Sequence, residues 1–216
     1  GQRMLLMLCE ALELEGISII SANTDGIMVK VYEDQEDKFN EISNWWREKT
    51  KMKADSDIVH CLIARDVNNY IAQFRTIKNG GPKLKLEYKG ALNPFMYAID
   101  LQKGYDMPIV AQAVSDYFLK GVPIMDTLQS ATNILDFCKT QNVGRQFHVE
   151  YSEGYENKEL QRNVRFYVSN IGGSIYKVHN HTKQKNNLCA GNKVTVLNTL
   201  DDVRIEFRNI NYSYYY

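Results

Sequence analysis

The sequence has no excess of either sign of charge, because its 26 Lys and Arg residues equal its 26 Asp and Glu residues. Net charge therefore favours no class of partner, and only the distribution of charge along the chain can do so. The sequence also lacks any run of 18 apolar residues, which is about the least that a membrane-spanning helix needs. We therefore expect neither a membrane span nor a membrane partner.

The sequence also lacks a metal-binding cysteine pattern and a signal peptide. The four cysteines have no CxxC pair or other metal-ligand spacing, which favours reduced, mostly buried thiols of an intracellular protein. They are Cys9, Cys61, Cys138 and Cys189. The first 16 residues carry three Glu within their apolar stretch, so we expect no signal peptide. Because the helical pattern is already in progress directly after Gly1, we expect an excised piece of a longer protein.

The first third of the chain predicts a helix, a β-hairpin and a second helix. Apolar residues from Leu5 to Leu12 follow the helical spacing i, i+3, i+4 and i+7, and Gly16 is typical of a helix end. Two β-rich runs, 17–22 and 26–31, are joined by Asn23-Thr24-Asp25-Gly26, which indicates a hairpin. An acidic amphipathic helix is expected from about Glu33 to Lys49.

The rest of the chain predicts strands first and helices later. Residues 58–89 are rich in β-forming types, with one strand expected over 65–77 and Gly80-Gly81-Pro82 as the only strong turn. Further elements are expected as helices at 108–118, 124–138 and 157–169, then strands near 174–178 and 194–198. We therefore expect an α+β fold, with an antiparallel sheet and packed helices in residues 1–92. A mainly helical subdomain should follow in residues 93–216.

The acidic hairpin tip is the first candidate site. Asp25-Gly26 between β-runs suits a tight turn because Gly tolerates positive φ, and a plain turn is the simplest interpretation. Both strands are strongly apolar, however, and an apolar helix precedes them with almost no loop. A hairpin buried in this way would leave the Asp25 carboxylate at a sheet edge, where a hard cation can bind it.

The stretch from Ile19 to Ile27, Ile-Ile-Ser-Ala-Asn-Thr-Asp-Gly-Ile, resembles motif C of family B DNA polymerases. The family's usual tip is Asp-Thr-Asp-Ser, so Asn23 replaces the first Asp and Gly26 replaces the Ser, with Thr24 kept. The resemblance implies that Asp25 is the indispensable catalytic residue and metal ligand. It also implies that Asn23 removes a charge near the metals.

The resemblance further implies which groups the chemistry needs. Nucleotidyl transfer uses two Mg²⁺ ions roughly 4 Å apart, one at the primer 3′-hydroxyl and one at the triphosphate of the incoming dNTP. The second essential Asp (motif A) and the fingers helix would belong to N-terminal polymerase domains upstream of Gly1. We therefore expect this chain to be inactive by itself. Its expected location is the cytoplasm, that of the host cell if it is phage-encoded.

A second element, Arg65-Asp66-Val67-Asn68-Asn69-Tyr70, resembles the Lys-x-Tyr element of the primer-gripping strand that follows motif C in phage-like members. Asn68 stands in place of the Lys. Minor-groove acceptors are present on every base pair, so the amide donors of Asn68 and Asn69 could hold a primer without reading its sequence. Tyr70 could contact a primer phosphate or sugar. The alternative is a turn in which the Asn side chains bond locally.

Positive charge gathers around this element. Six Lys or Arg stand against two acidic residues between His60 and Leu92, which is consistent with binding a duplex backbone. Arg65 belongs to this group, and Lys89 stands out because Lys89-Gly90 resembles the Lys-Gly step that follows the gripping strand in the family. A solvated edge-strand face is the alternative for Lys83 and Lys85.

The helix predicted at 157–169 supplies the last candidates. Lys158, Arg162 and Arg165 would share one helical face and could follow DNA phosphates. The segment 160–169 loosely resembles a C-terminal thumb segment of phage-type members. An ordinary solvated face is the alternative.

The hairpin, the gripping strand and the Lys-Gly step occur in family order across residues 1–92. This order favours the C-terminal palm and thumb of a DNA-directed DNA polymerase that binds primer–template DNA. Two other functions stay open. A palm-type enzyme such as a nucleotide cyclase also uses an acidic hairpin tip, but it predicts no basic gripping strand and no thumb. A non-catalytic nucleic-acid-binding module would keep only the palm shape.

Overall fold

The structure is a computed structural model that describes residues 2–78, 81–95, 106–199 and 209–216. The chain divides into two compact units, Gly1–Glu87 and Tyr88–Tyr216, where the sequence placed a division after residue 92. Helices and antiparallel strand pairs occur together in the chain, so the expected α+β class is confirmed.

The first unit begins with two helices and a hairpin at the expected positions. They are helix α1 (Gln2–Leu14), strands β1 (Ser18–Ala22) and β2 (Ile27–Lys30), a 3₁₀ turn (Glu33–Gln35) and helix α2 (Glu36–Thr50). After α1, Gly16 adopts a φ of +77°, a left-handed conformation that favours glycine. The Ile17 N–H then donates to the Leu12 carbonyl at 3.0 Å. The chain therefore passes from α1 to β1 within a few residues.

One apolar cluster joins both helices to the hairpin. Its buried members are Leu8, Leu12, Ile17, Ile42 and Trp46. Ile19 of β1 and Val29 of β2 are cross-strand partners and pack against this cluster. The Trp46 indole Nε1–H donates to the Met4 carbonyl at 2.6 Å, so α2 is held to α1 by a polar contact as well as by packing. A helix packed on an antiparallel hairpin is thus confirmed.

A three-stranded sheet completes the first unit. Its strands are β3 (Val59–Asp66), β4 (Asn69–Lys78) and β5 (Gly81–Lys89), in the order β3-β4-β5. The expected strand at 65–77 is wrong at its start, because Val67 and Asn68 form the turn between β3 and β4. Gly80 of the expected turn lies outside the described residues.

The second unit has more strands than helices in its described part. Its elements are helices α3 (Pro108–Lys120) and α4 (Ile124–Ser130), strands β6 (Lys139–Asn142), β7 (Phe147–Glu153), β8 (Glu156–Leu160), β9 (Asn163–Ser169), β10 (Ser174–His179), β11 (Lys185–Asn187) and β12 (Lys193–Val196), and a short helix Tyr212–Tyr215. Two sheets run in the orders β11-β10-β7-β8 and β12-β9-β6. Their buried residues share one apolar cluster with the α3 and α4 residues Ile109 and Leu128.

The expectation of a mainly helical second subdomain is wrong. The segment predicted as a helix at 157–169 forms β8 and β9, which pair with β7 and β6. Its apolar residues had suggested a helical face, but they lie in β9, where Val164 and the four consecutive residues 166–169 are buried. β9 is the central strand of the sheet β12-β9-β6. Pairing with distant strands thus overrides the helix-forming residues of this segment.

The helix expected at 124–138 is also shorter than predicted. α4 ends at Ser130, and a separate 3₁₀ turn follows at Ile134–Phe137. The Asn133 side-chain oxygen accepts a hydrogen bond from the Leu135 N–H at 3.1 Å. A short polar side chain that bonds its own backbone in this way competes with helix continuation.

Tyr215 ties the end of the chain to the core of the second unit. Its side chain is 5% exposed, and its hydroxyl donates to the Phe137 carbonyl at 2.9 Å. The same oxygen accepts from the Val168 N–H at 2.7 Å. Burial raises the pKa of the hydroxyl above its ordinary range, so it stays protonated. It therefore satisfies two backbone groups in apolar surroundings.

Removing this hydroxyl should weaken the second unit. In Tyr215→Phe, two buried backbone groups lose their partner, and each such group costs about 1–3 kcal/mol. We expect the free energy of unfolding to fall by about 2–4 kcal/mol, measured by urea denaturation followed by circular dichroism. Tyr216→Phe is the control, because that ring is 73% exposed. Equal stability of the two variants would contradict the assignment.

Candidate functional site

The hairpin tip presents Asp25 to solvent. The loop Asn23–Gly26 is closed by the Asn23 N–H, which donates to the Gly26 carbonyl at 2.9 Å. Thr24 and Asp25 are both exposed at its end. β1 and β2, which carry the loop, pair from Ser18–Lys30 to Ala22–Ile27. The expected position of Asp25 at the turn is therefore observed.

Asn23 holds the loop in shape. Its side-chain oxygen accepts from the backbone N–H of Asp25 and from that of Gly26, both at 2.8 Å. An Asp at this position could accept the same two hydrogen bonds. The structure therefore assigns Asn23 a conformational task that a carboxylate could also perform.

The backbone conformation does not require glycine at position 26, contrary to what the sequence suggested. Neither Asp25 nor Gly26 has a positive φ, so the loop does not need glycine for its backbone conformation. A Cβ built on Gly26 would meet no atom within 4 Å. A Ser side chain would therefore fit at this position without a steric clash.

A cation at this tip would meet the exposed Asp25 carboxylate. Across residues 2–78, 81–95, 106–199 and 209–216, no three His, Cys, Asp or Glu side chains converge on one point. Asp25 is exposed, and the Asn23 oxygen already accepts two amide hydrogen bonds. The residues present fit one ligand of a hard cation that takes its other ligands from elsewhere.

The β3–β4 turn is organised by Asp66. Its carboxylate accepts from the Asn69 side-chain Nδ2 at 2.7 and 2.9 Å, from the Asn68 backbone N–H at 2.9 Å and from Arg65 Nε at 3.1 Å. The hydrogen bond from Asn69, then that from Asn68, then Arg65 lower the pKa of Asp66. The turn interpretation of Asn68-Asn69 is therefore correct for the backbone. Asn69 donates within the turn, whereas the Asn68 side chain is exposed.

Tyr70 is buried and already hydrogen-bonded, unlike the free primer contact that the sequence suggested. Its side chain is 9% exposed, and its hydroxyl donates to Glu87 Oε1 of β5 at 3.1 Å. Burial, then the hydrogen bond to Glu87, raises the pKa of this hydroxyl. A phosphate oxygen only accepts hydrogen bonds, so Tyr70 would have to leave Glu87 to contact one. In this structure the residue joins β4 to β5.

Lys89 ends β5 and is exposed. Gly90 follows with a φ of +60°, which explains why the Lys-Gly step needs glycine. The 3₁₀ turn Gly90–Leu92 then directs the chain onward. Lys89 is therefore held at the point where a strand ends and a tight turn begins.

Lys158, Arg162 and Arg165 do not form one stripe. Lys158 lies in β8 opposite Tyr151, and Arg162 lies in the link between β8 and β9. Arg165 lies in β9 opposite Thr140 and is half-buried, whereas Lys158 and Arg162 are exposed. The shared helical face expected for the three cations is therefore wrong, because the segment is not helical.

A larger basic segment was missed by the sequence reasoning. Residues 160–200 contain six Lys or Arg and no Asp or Glu. The members not singled out are Lys177, Lys183, Lys185 and Lys193. Lys183 is exposed in the turn between β10 and β11, and the exposed Arg145 lies in the turn between β6 and β7. The absence of acidic residues over 41 positions was the signal that could have found this segment.

Comparison of the chain with family models, curated proteins and solved structures finds no match. In the part of the chain that the structure describes, no helix has the length and apolar character needed to cross a membrane.

The loop geometry predicts the effect of changing Asn23. Asn23→Ala removes the acceptor for two exposed amides, which should cost about 0.5–1.5 kcal/mol. Hydrogen exchange at the Asp25 and Gly26 amides should accelerate accordingly. Asn23→Asp keeps an acceptor and should retain protection. Thr24→Ala, in the same exposed loop, is the matched control. If Asn23→Ala and Thr24→Ala exchanged alike, the closing task of Asn23 would be refuted.

Proposed function

We propose that this chain is the C-terminal palm and thumb portion of a phage-like family B DNA-directed DNA polymerase. The observation that carries the proposal is the hairpin tip: an exposed Asp25, in an Asn-Thr-Asp-Gly loop, on two apolar strands that pack under a preceding helix. This is the arrangement that the motif C resemblance requires. The host cytoplasm is the corresponding location.

Asp25 would act as a ligand of catalytic Mg²⁺. Bound Mg²⁺ supplies charge neutralisation for the dNTP triphosphate and activates the primer 3′-hydroxyl. The task of this chain's own residues is to present the Asp25 carboxylate at a fixed point, through the hydrogen bonds of Asn23 to the loop. The second carboxylate and the fingers would come from upstream, so the chain alone would be inactive.

Contacts to primer–template DNA would come from two groups of residues. In the first unit the exposed Asn68 amide is available at the β3–β4 turn, and exposed Arg65 lies beside it. In the second unit the segment 160–200, without a single acidic residue, supplies Arg162 and the lysines of its turns. Such contacts hold phosphates and degenerate minor-groove acceptors, so binding would be independent of sequence.

Primer extension tests the catalytic part of this proposal. The 216-residue chain with Mg²⁺ and four dNTPs should give no extension, since it carries one of two essential carboxylates. In a longer chain that includes the upstream domains, Asp25→Asn should lower incorporation more than about a hundredfold. Duplex binding should be retained. Asp37→Asn in α2 is the matched charge control and should extend normally.

Two outcomes would contradict this assignment. Templated extension by the 216-residue chain alone would place the active site elsewhere. Undiminished incorporation by Asp25→Asn would remove the metal-ligand role. Duplex binding that persists in a longer chain lacking all polymerase activity would favour the non-catalytic binding module instead.

Salt dependence tests the DNA-binding part. Affinity for a primer–template duplex should fall steeply with salt, because phosphate contacts release counterions. Arg162→Ala and Lys183→Ala should each reduce the log–log slope by about one. Lys49→Ala, an exposed change in α2, is the control. If all three variants kept the wild-type slope, the basic segment would be an ordinary solvated surface.

A further inference from the structure

His148 lies in β7 with both ring nitrogens in hydrogen bonds. Its Nδ1 is 2.8 Å from the side-chain oxygen of Asn180, and its Nε2 is 3.1 Å from Glu150 Oε1. The side chain is 17% exposed. Asn180 belongs to the turn between β10 and β11, whereas Glu150 is two residues from His148 on β7. The imidazole therefore links a strand to a turn 32 residues away.

The partners of this ring determine its protonation. Asn180 Nδ2 donates to the Arg145 carbonyl at 3.1 Å, which fixes the amide so that its oxygen faces His148. That oxygen can only accept, and so can the ionised Glu150 carboxylate. Both ring nitrogens of His148 must then donate. A neutral imidazole has only one N–H, so the arrangement requires the imidazolium.

We propose that protonated His148, with Glu150 and Asn180, forms a proton-dependent clamp that holds the β10–β11 turn (residues 180–184) against the β6–β7 turn (residues 143–146). The backbone also joins these turns, because the Asn180 N–H donates to the Gln146 carbonyl at 2.9 Å. When His148 loses a proton, one ring nitrogen carries a lone pair in place of an N–H. That lone pair faces an oxygen of Asn180 or Glu150, which repels it. The clamp therefore opens as His148 deprotonates.

The charged groups around His148 support this arrangement. Glu150 also binds Lys185 Nζ of β11, and Glu159 of β8 lies opposite Glu150. The hydrogen bond to Asn180, then that to Glu150, raises the pKa of His148, and Glu159 acts in the same direction. Lys185, then His148, lowers the pKa of Glu150. Within the described residues, two carboxylates, Glu150 and Glu159, raise the pKa of His148, and one lysine, Lys185, binds Glu150.

The pH dependence of the clamp is determined by the raised pKa of His148 and the lowered pKa of Glu150. A His whose pKa is raised by folding stabilises the fold fully below its unfolded pKa of about 6.5 and loses that contribution as pH rises through its folded pKa. Glu150, with a lowered pKa, loses its contribution only as pH falls below its own ordinary range. The clamp is therefore closed in mildly acidic solution and opens toward alkaline pH.

The clamp has a consequence for the basic segment. The two turns that it joins carry exposed Arg145, His181 and Lys183. If they bind phosphates, which rests on the proposed function, opening the clamp separates the cations and weakens binding. The clamp itself rests on the hydrogen bonds of His148 and Asn180 and does not depend on DNA binding.

Nuclear magnetic resonance on the full 216-residue chain tests the clamp directly. At pH 6 the ¹⁵N shifts of both His148 ring nitrogens should be those of an imidazolium, and its titration should lie above about 6.5. Asn180→Ala and Glu150→Gln should each lower that titration. A neutral ring at pH 6, or a titration at or below the ordinary value, would overturn the proposal without any variant having to fold.

Hydrogen exchange and binding complete the test. The protection factor of the Asn180 amide should fall between pH 6 and pH 8 by at most about tenfold per unit, and His148→Gln should remove this dependence. His60→Gln, at an exposed position of the first unit, should preserve it. Unchanged protection in the wild type would also overturn the clamp. Duplex affinity should fall over the same pH interval. If the clamp opened but the chain bound no duplex, the clamp would be supported and the proposed function contradicted.

Discussion

The position of the acidic tip depends on apolar packing, since a two-stranded hairpin is at best marginally stable in water. β1 and β2 form a sheet of only two strands in the described residues. The hairpin is held because Ile19 and Val29 pack on the cluster that includes Leu12 and Trp46. A tip carried by this cluster can expose Asp25 while the strands below it stay ordered. The exposed position of Asp25 therefore depends on the apolar packing of the strands below it.

Local signals made the first unit predictable from sequence, and distant pairing made the second unit difficult. α1, the hairpin and α2 are each specified within a few residues, by apolar spacing, Gly16 and the loop at Asn23. The segment 157–169 has no such local determinant. Its strands exist because Leu160 lies opposite Val149 and Phe166 opposite Lys139, and no periodicity within the segment reports those partners.

The candidate site was predictable in residue type but not in hydrogen bonding. The tip lies where the sequence placed it, yet the closing task of Asn23 is visible only in its two amide contacts. Asn69 and Tyr70 begin β4, in the region that the sequence predicted to form strands. Their side-chain donors bond Asp66 and Glu87, which the sequence had counted only as opposing charges. The structure thus leaves Asn68 as the more accessible amide of the pair.

Charge is distributed unevenly along this neutral chain. Residues 1–57 contain twelve Asp and Glu against seven Lys and Arg, whereas residues 160–200 contain no acidic residue. Where acidic residues are in excess, the local potential attracts cations and repels polyanions such as a phosphate backbone. The acid-free segment has the opposite preference. Residues 60–92 also carry six Lys and Arg against two acidic residues. Under the proposed function, phosphate contacts would therefore fall in these two basic stretches, and the cation ligand Asp25 in the acidic one.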